Sequence, residues 1–334
     1  MSYVVGGLIE ATDYNGFVST NSGANLNDIW GTGSGDKGWG QNALGTVSAG
    51  STVSASSWAS LVNNLASAGS QTNTTLTSRT VPTAGATIAV LPAVNTDLTN
   101  VTTNRGNAAV SGTEYGSFSG TTSKTTATGS GQNTWTITWT HTVTFASADA
   151  ARYFWNAGGR VSVKYGKIST GTDIDADWNF FVGQTGVINI TGRVNSAAQT
   201  IAGQSYTGTT RVGGSGGTQT TLTTTTGWYN LTPAAAATTI FQLNNASSPY
   251  TGEYIRTTAA VDAGSTVLTL VTTWFQPAVT GVGTSCDISG GTATTSPSTS
   301  ITGTAPTVLV TYTPPSSTYL TNTWGTPTIA ASVS

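Results

Sequence analysis

From about residue 110 onward, apolar and polar residues alternate along the chain with a period of two. The clearest run is Trp135-Thr-Ile137-Thr-Trp139-Thr-His141-Thr-Val143-Thr-Phe145, in which every even position is threonine. Successive side chains of a strand point to opposite faces. The run therefore predicts a strand with one buried face and one threonine ladder open to water or to a neighbour. Such contrast between faces belongs to an antiparallel sandwich. Further strands are expected at Arg160–Tyr165, Val187–Ile190, Trp228–Leu231, Tyr254–Arg256, Thr266–Trp274 and Thr307–Tyr312. Gly-rich or Pro-containing turns separate them, at Ala157–Gly159, Gly213–Gly217 and Pro314–Pro315. The Thr-rich stretches 120–130 and 217–226 read equally as strand edges or loops. The expected fold class is mainly β: an antiparallel β-sandwich or jelly-roll-like region, preceded by a small N-terminal region with one helix.

That helix is predicted where the period changes to 3.6. Trp58, Leu61, Val62 and Leu65 fall at i, i+3, i+4 and i+7. Ser54 is a natural N-cap, Val53 is placed to staple against Trp58, and Gly69 is a candidate stop. A Gly-rich loop, Trp30-Gly-Thr-Gly-Ser-Gly-Asp36-Lys37-Gly-Trp39-Gly-Gln41, precedes it. Trp30, Trp39 and Trp58 together have the bulk for a small core, and with Leu61 they are the candidate assembly residues. An extended piece is expected at Thr87–Leu91 and a short helical turn, capped by Ser147, at Ser147–Arg152. The organisation expected is an N-terminal docking region (1–80), a linker with edge strands (81–130), and a β-sandwich region with a C-terminal extension (131–334).

Composition changes this picture by removing charge. Only 7% of the 334 residues are Asp, Glu, Lys or Arg, and the formal net charge is −2, against roughly 25% charged residues in an ordinary domain. No basic field exists to attract nucleic acid or an anionic membrane. A surface of Thr, Ser, Asn and Gly repels neighbours weakly, which suits a subunit packed among others. The alternative is a low-charge β domain that happens to be Thr-rich. Disorder is excluded by ten Trp, eleven Tyr and eight Phe. The opening MSYVVGGLIEATDY has neither a basic n-region nor a long apolar h-region, so no signal peptide is expected. No apolar run approaches 18 residues, so no membrane insertion is expected.

Candidate chemistry is sparse, and no enzyme is expected. His141 is the sole histidine and sits on the aromatic face of its strand, so a catalytic triad would have to use a packed residue. Asp173-Ile-Asp175-Ala-Asp177 has the alternating acids of calcium loops, which makes Asp173, Asp175 and Asp177 the candidate metal ligands for Ca²⁺. The positions where such a loop wants Gly and Glu hold Trp178 and Gln184. A solvated turn is the alternative, and a glycosidase pair is a weaker one. No other cofactor is expected. Trp178, Trp228, Tyr229, Tyr250 and Tyr254 are available to stack on sugar rings, or to fill a core short of Leu and Ile. Cys286 is the sole cysteine and has no basic neighbour in sequence to activate it.

Two segments carry a resemblance. The first runs from Gly7-Leu-Ile-Glu10-Ala-Thr-Asp13-Tyr14-Asn15 through Asn27-Asp-Ile-Trp30-Gly-Thr-Gly to Asp36-Lys37-Gly-Trp39-Gly-Gln41, with Trp58 and Leu61-Val62-Asn63 beyond. It resembles the N-terminal region of virion structural proteins of tailed bacteriophages, those of cyanobacteria in particular. The second, Ala150-Ala-Arg152-Tyr-Phe154-Trp155-Asn156-Ala-Gly158-Gly159-Arg160-Val161, is similar to an aromatic-Asn-Gly-Gly segment of phage particle proteins, with a later Gly227-Trp228-Tyr229. The resemblance implies a structural component of the virion, made in the host cytoplasm. A tail-associated fibre or baseplate position comes first, a head-surface, collar or decoration protein second, and a receptor- or glycan-binding module of the tail third. The implied partners are other virion proteins and copies of the same chain, a homotrimer first, with a host surface glycan as a further candidate. No catalytic residues come with it.

Overall fold

A computed structural model describes residues 10–20, 24–85, 93–107, 122–123, 135–167, 174–192, 199–201, 204–206, 209–219, 237–246, 251–277 and 306–334. The N-terminal part is helical: α1 (Ala11–Asn15), a π-helical turn (Gly16–Thr20), α2 (Leu26–Ile29), α3 (Ala55–Gln71) and α4 (Val94–Asn104). Thereafter come β1 (Thr122–Ser123), β2 (Trp135–Thr144), α5 (Ala148–Asn156), β3 (Arg160–Gly166), α6 (Ile174–Gly183), β4 (Val187–Thr191), β5 (Gln199–Ile201), β6 (Gln204–Tyr206) and β7 (Thr209–Val212). The chain continues through β8 (Thr218–Gln219), β9 (Thr238–Asn244), β10 (Tyr254–Val261), β11 (Val267–Gln276), β12 (Thr307–Thr313) and β13 (Thr328–Val333).

The fold is mainly β, with two antiparallel sheets packed as a sandwich. One sheet has the order β1-β12-β3-β4-β7 and the other β13-β2-β11-β10-β9-β8; β5 and β6 form a separate hairpin. From Ile137 to Thr144 the alternation of β2 holds: Ile137, Trp139, His141 and Val143 are fully buried, and the threonines between them are partly exposed on the other face. The facing sheet supplies Val161, Val163 and Tyr165 from β3, with Val308 and Val310 from β12. Tyr165 stacks on Phe241 at 5.8 Å across the interior. Its hydroxyl meets Thr257 Oγ1 at 2.6 Å, and Thr257 Oγ1 meets Thr272 Oγ1 at 2.8 Å. This polar chain crosses the sandwich and satisfies three buried hydroxyls at once. Burial therefore drives the Tyr165 phenol well above its ordinary range, the Thr257 hydrogen bond opposing it. On the opposite face of β3 and β4, Ser162 Oγ donates to Asn189 Oδ1 at 2.6 Å, both residues being fully buried. These two strands are therefore buried on both sides, unlike β2.

Helix α3 forms where its apolar stripe requires it. Ser54 Oγ accepts from the Ser57 amide at 3.1 Å, and Trp58, Leu61, Val62 and Leu65 are all buried. Gly69 does not end it; the helix continues to Gln71. A Cβ on Gly69 would stand 2.5 Å from Leu76, so that glycine serves a close approach rather than a cap. Helix α5 is capped by Ser147, whose Oγ accepts from the Ala150 amide, and runs to Asn156, well past the single turn expected. Of the other expected elements, the extended piece 87–91 and the strand 228–231 lie outside the described residues. The cores of the helical part and the sandwich are continuous: Trp58, Leu98 and Val101 belong to the same buried cluster as Trp139 and Trp274.

The hairpin joining β10 to β11 is held by Asp262, which accepts from the amides of Gly264, Thr266 and Val267 and from the Thr266 hydroxyl. Slight burial works to raise its pKa, but these four donors outweigh it and hold the carboxyl below its usual value. Ser265 in the same turn adopts φ 54°, a left-handed conformation costly for a residue with a Cβ. Ser265→Gly is expected to raise stability by about 0.5–1 kcal/mol. Asp262→Ala is expected to lower it by about 1–2 kcal/mol. Urea unfolding of the two variants beside the parent measures both.

Candidate assembly interface

The loop spanning Trp30 to Gln41 is shaped by its glycines. Gly33 (φ 48°) and Gly38 (φ 90°) lie back to back, and a Cβ on Gly38 would fall 2.0 Å from the Thr32 carbonyl oxygen. The loop closes over helix α5. From that helix Asn156 Nδ2 donates to the carbonyls of Gly35 (3.1 Å), Lys37 (2.8 Å) and Gly38 (3.2 Å). Arg152 Nη1 donates to the carbonyls of Thr32 (2.6 Å) and Lys37 (2.8 Å), while Nη2 pairs with Asp149 at 2.9 Å. In return the Trp39 indole N–H donates to the Asn156 carbonyl at 3.1 Å. Helix α3 reaches the same point: Gln71 Nε2 donates to the Ala157 carbonyl at 3.0 Å. The glycines after Asn156 have separate uses. Gly158 takes φ 103° to leave the helix, and Gly159 lies where a Cβ would strike the Phe154 ring.

Extended backbone beyond the loop is held by carboxamides in place of a partner strand. Asn27 accepts from the Leu44 amide and donates to its carbonyl, each at 2.9 Å. Asn15 does the same to Val47, each at 2.8 Å. Gln41 binds both the amide (2.8 Å) and the carbonyl (2.9 Å) of Thr321. Thr323 Oγ1 donates to the Trp39 carbonyl at 2.7 Å, which fixes the segment leading into β13 against the loop.

The residues singled out from sequence fall into place unevenly. Trp30 pairs edge-on with Trp39, whereas Trp58 packs against Tyr14 and Phe17. All four candidate assembly residues, Trp30, Trp39, Trp58 and Leu61, are buried within the chain itself. They shape the helical part from inside and offer little contact area to a neighbour. Asp175 and Asp177 lie on helix α6, not on a curled loop, and Asp173 lies outside the described residues. Among the described residues no cluster of three metal-ligating side chains occurs. Trp178 is 2% exposed, stacks parallel on Trp274 at 5.2 Å and donates to Gln276 Oε1 at 2.7 Å, so its face is taken. Tyr254 stacks on Phe275 with the Arg256 guanidinium over its ring. Trp228, Tyr229, Tyr250 and Cys286 lie outside the described residues.

His141 is fully buried between Trp139 and Val143 on the inner face of β2. Burial pushes its imidazole below the ordinary value, weakly opposed by the Val308 main chain. A residue so enclosed has no path to a substrate. No helix of the described chain is long and apolar enough to cross a membrane.

The sequence reading missed the outer face of the six-stranded sheet as a continuous surface. Strand register sets Thr142 beside Thr269 and Ala330, Thr140 beside Val271 and Ser332, and Thr138 beside Thr273. Arg256, opposite Thr273, is the one charged side chain on that face among the described residues. The alternation of β2 signalled one row of it; the pairing partners carried no such signal. No protein-family model, curated protein or solved structure matches the chain.

Two outcomes follow from the clamp and the core histidine. Asn156→Asp replaces two N–H donors by a carboxylate facing three carbonyls, and is expected to lose about 2–4 kcal/mol in urea unfolding at neutral pH. Because the folded pKa of His141 is depressed, the unfolded chain binds the extra proton. Stability should therefore fall as pH drops below about 6.5, by at most about 1.4 kcal/mol per pH unit. His141→Leu should remove that part of the slope between pH 8 and pH 5, whatever its effect on stability at pH 8.

Proposed function

We propose that the protein is a structural component of a tailed-phage virion that works by packing against copies of itself and other particle proteins. The observation that carries this reading is the outer face of the six-stranded sheet. Four strands, β13, β2, β11 and β10, present threonine, serine, alanine and valine in register, with the Tyr254–Phe275 stack at one end and Arg256 as the lone charge among the described residues. At about 4.8 Å between strands and 3.3 Å per residue, that face measures roughly 20 by 30 Å. This approaches the about 800 Å² per partner of a standard interface. Threonine side chains there lose little rotamer entropy on burial, and Arg256 is the only charge among the described residues of that face that a second sheet laid on it would strip of water.

The virion context rests on the resemblance of the segments around Trp30–Gln41 and Ala150–Val161 to tailed-phage particle proteins. The loop–helix clamp supports it, since it gives the residues of both segments one shared structural purpose. A tail-associated fibre or baseplate position is the leading assignment and a head-surface or collar position the second; a symmetric homo-oligomer, trimer first, suits either. The helical part, built on a rigid buried core, is the leading docking element.

Thr138→Lys combined with Thr142→Lys should leave the unfolding midpoint nearly unchanged while shifting the protein to monomer in sedimentation velocity. It should also abolish incorporation into particles in a complementation assay. A parent chain that sediments as a monomer at every concentration and is absent from purified particles would overturn the proposal.

A further inference from the structure

A cleft of about 250 Å³ opens where the Trp30–Gln41 loop, helix α3 and the segment before β13 meet; its lining includes Trp30, Asn42, Asn64, Thr321 and Thr323. We infer that this cleft is a binding site for a single ring of a neutral saccharide. The inference is independent of the assembly reading above.

The chemistry of the lining selects the ligand. Among the described residues no acidic or basic side chain borders the cleft, so they offer nothing to compensate the desolvation of an anion or a cation. A purely apolar ligand fits no better, because its burial would strand amides and hydroxyls without partners. Carboxamides and hydroxyls each donate and accept, as sugar hydroxyls do. Gln41 is fully committed to Thr321 and Trp39 and acts as scaffold. Asn42 and Asn64 differ. Among the described residues no hydrogen bond engages either carboxamide, and both border the cleft from opposite elements, the loop and α3. Thr323 Oγ1 donates to the Trp39 carbonyl and accepts a long contact from Gln41 Nε2 at 3.5 Å, which leaves one acceptor lone pair for a ligand hydroxyl. Trp30, packed edge-on with Trp39 and 8% exposed, adds a small apolar patch to the lining.

At about 250 Å³ the cleft lies below the about 300 Å³ at which drug-sized pockets begin, so a small ligand such as a single sugar ring is the proposed occupant. The site is also prebuilt. Its walls come from parts of the chain separated by 280 residues and are joined by the Gln41–Thr321 pair, so binding requires no ordering of a loop.

The test is saturation-transfer difference NMR on the full chain with glucose, galactose, mannose and N-acetylglucosamine as probes and glucuronate as the charged control. At least one neutral sugar should receive saturation at its ring protons, with glucuronate markedly weaker. Asn42→Ala and Asn64→Ala should each weaken binding about two- to tenfold, the loss of one neutral hydrogen bond. Both changes lie at the protein surface, and an unchanged unfolding midpoint confirms that the variants fold. Transfer to none of the four neutral sugars would overturn the inference. So would transfer that persists undiminished in the N42A/N64A double variant, or that is as strong to glucuronate.

Discussion

The structure depends on carboxamide side chains pairing with main-chain groups. Asn15, Asn27 and Gln41 each read both the N–H and the carbonyl of one distant residue, as a neighbouring strand would. Asn156 gathers three carbonyls of one loop. A backbone segment without sheet or helix partners has to find hydrogen bonds somewhere, and here uncharged side chains supply them. Without these pairs the extended stretch after Gln41 would have no ladder, the glycine loop would have no platform, and the segment before β13 would have no seat.

This economy explains how so few charges suffice. Lys37 with Asp28, Arg105 with Asp36, Arg152 with Asp149 and Arg79 with Asp97 are the ion pairs among the described residues, and all four lie in or beside the helical part. Arg79 and Asp97 are nearly buried, and Asp97 also accepts from the Thr77 amide, so this pair fixes the chain between α3 and α4. Besides the buried Arg160 and Glu253, the sandwich uses aromatic contacts, such as the stack of Trp178 on Trp274, and hydroxyl chains such as Tyr165–Thr257–Thr272. Neither device needs a charge, and neither leaves one on the surface.

How much of this was legible in the sequence varies with the kind of signal. Strand β2 was plain because its alternation is complete over ten residues, and α3 because one face carries all its large apolar side chains. Helix α4 escaped notice because Thr99, Thr102 and Thr103 are poor helix formers; in place they donate to carbonyls four residues back. Its apolar positions, Val94, Leu98 and Val101, do keep helical spacing, so the signal was present but diluted. The carboxamide clamps were not legible at all, because their partners are main-chain groups that look alike at every residue. The cleft beside Trp30 was hidden for the related reason that its walls come from opposite ends of the sequence. The aromatic-Asn-Gly-Gly segment was visible as a motif, but its physical meaning, a platform for the glycine loop, needed the loop in place.

The contact between Gln41 and Thr321 bears on the order in which the molecule is made. A ribosome delivers residue 41 long before residue 321, so through most of synthesis the glycine loop lacks the segment that covers it. Strand β2 waits similarly for β13, its partner from Thr328 onward. Contacts of such long sequence separation slow folding and prolong exposure of unpaired edges. For a chain with little charge to keep copies apart, this interval of synthesis is when wrong associations are easiest. The link that locks the finished fold thus also makes the nascent chain a natural client for whatever holds unfinished polypeptides apart.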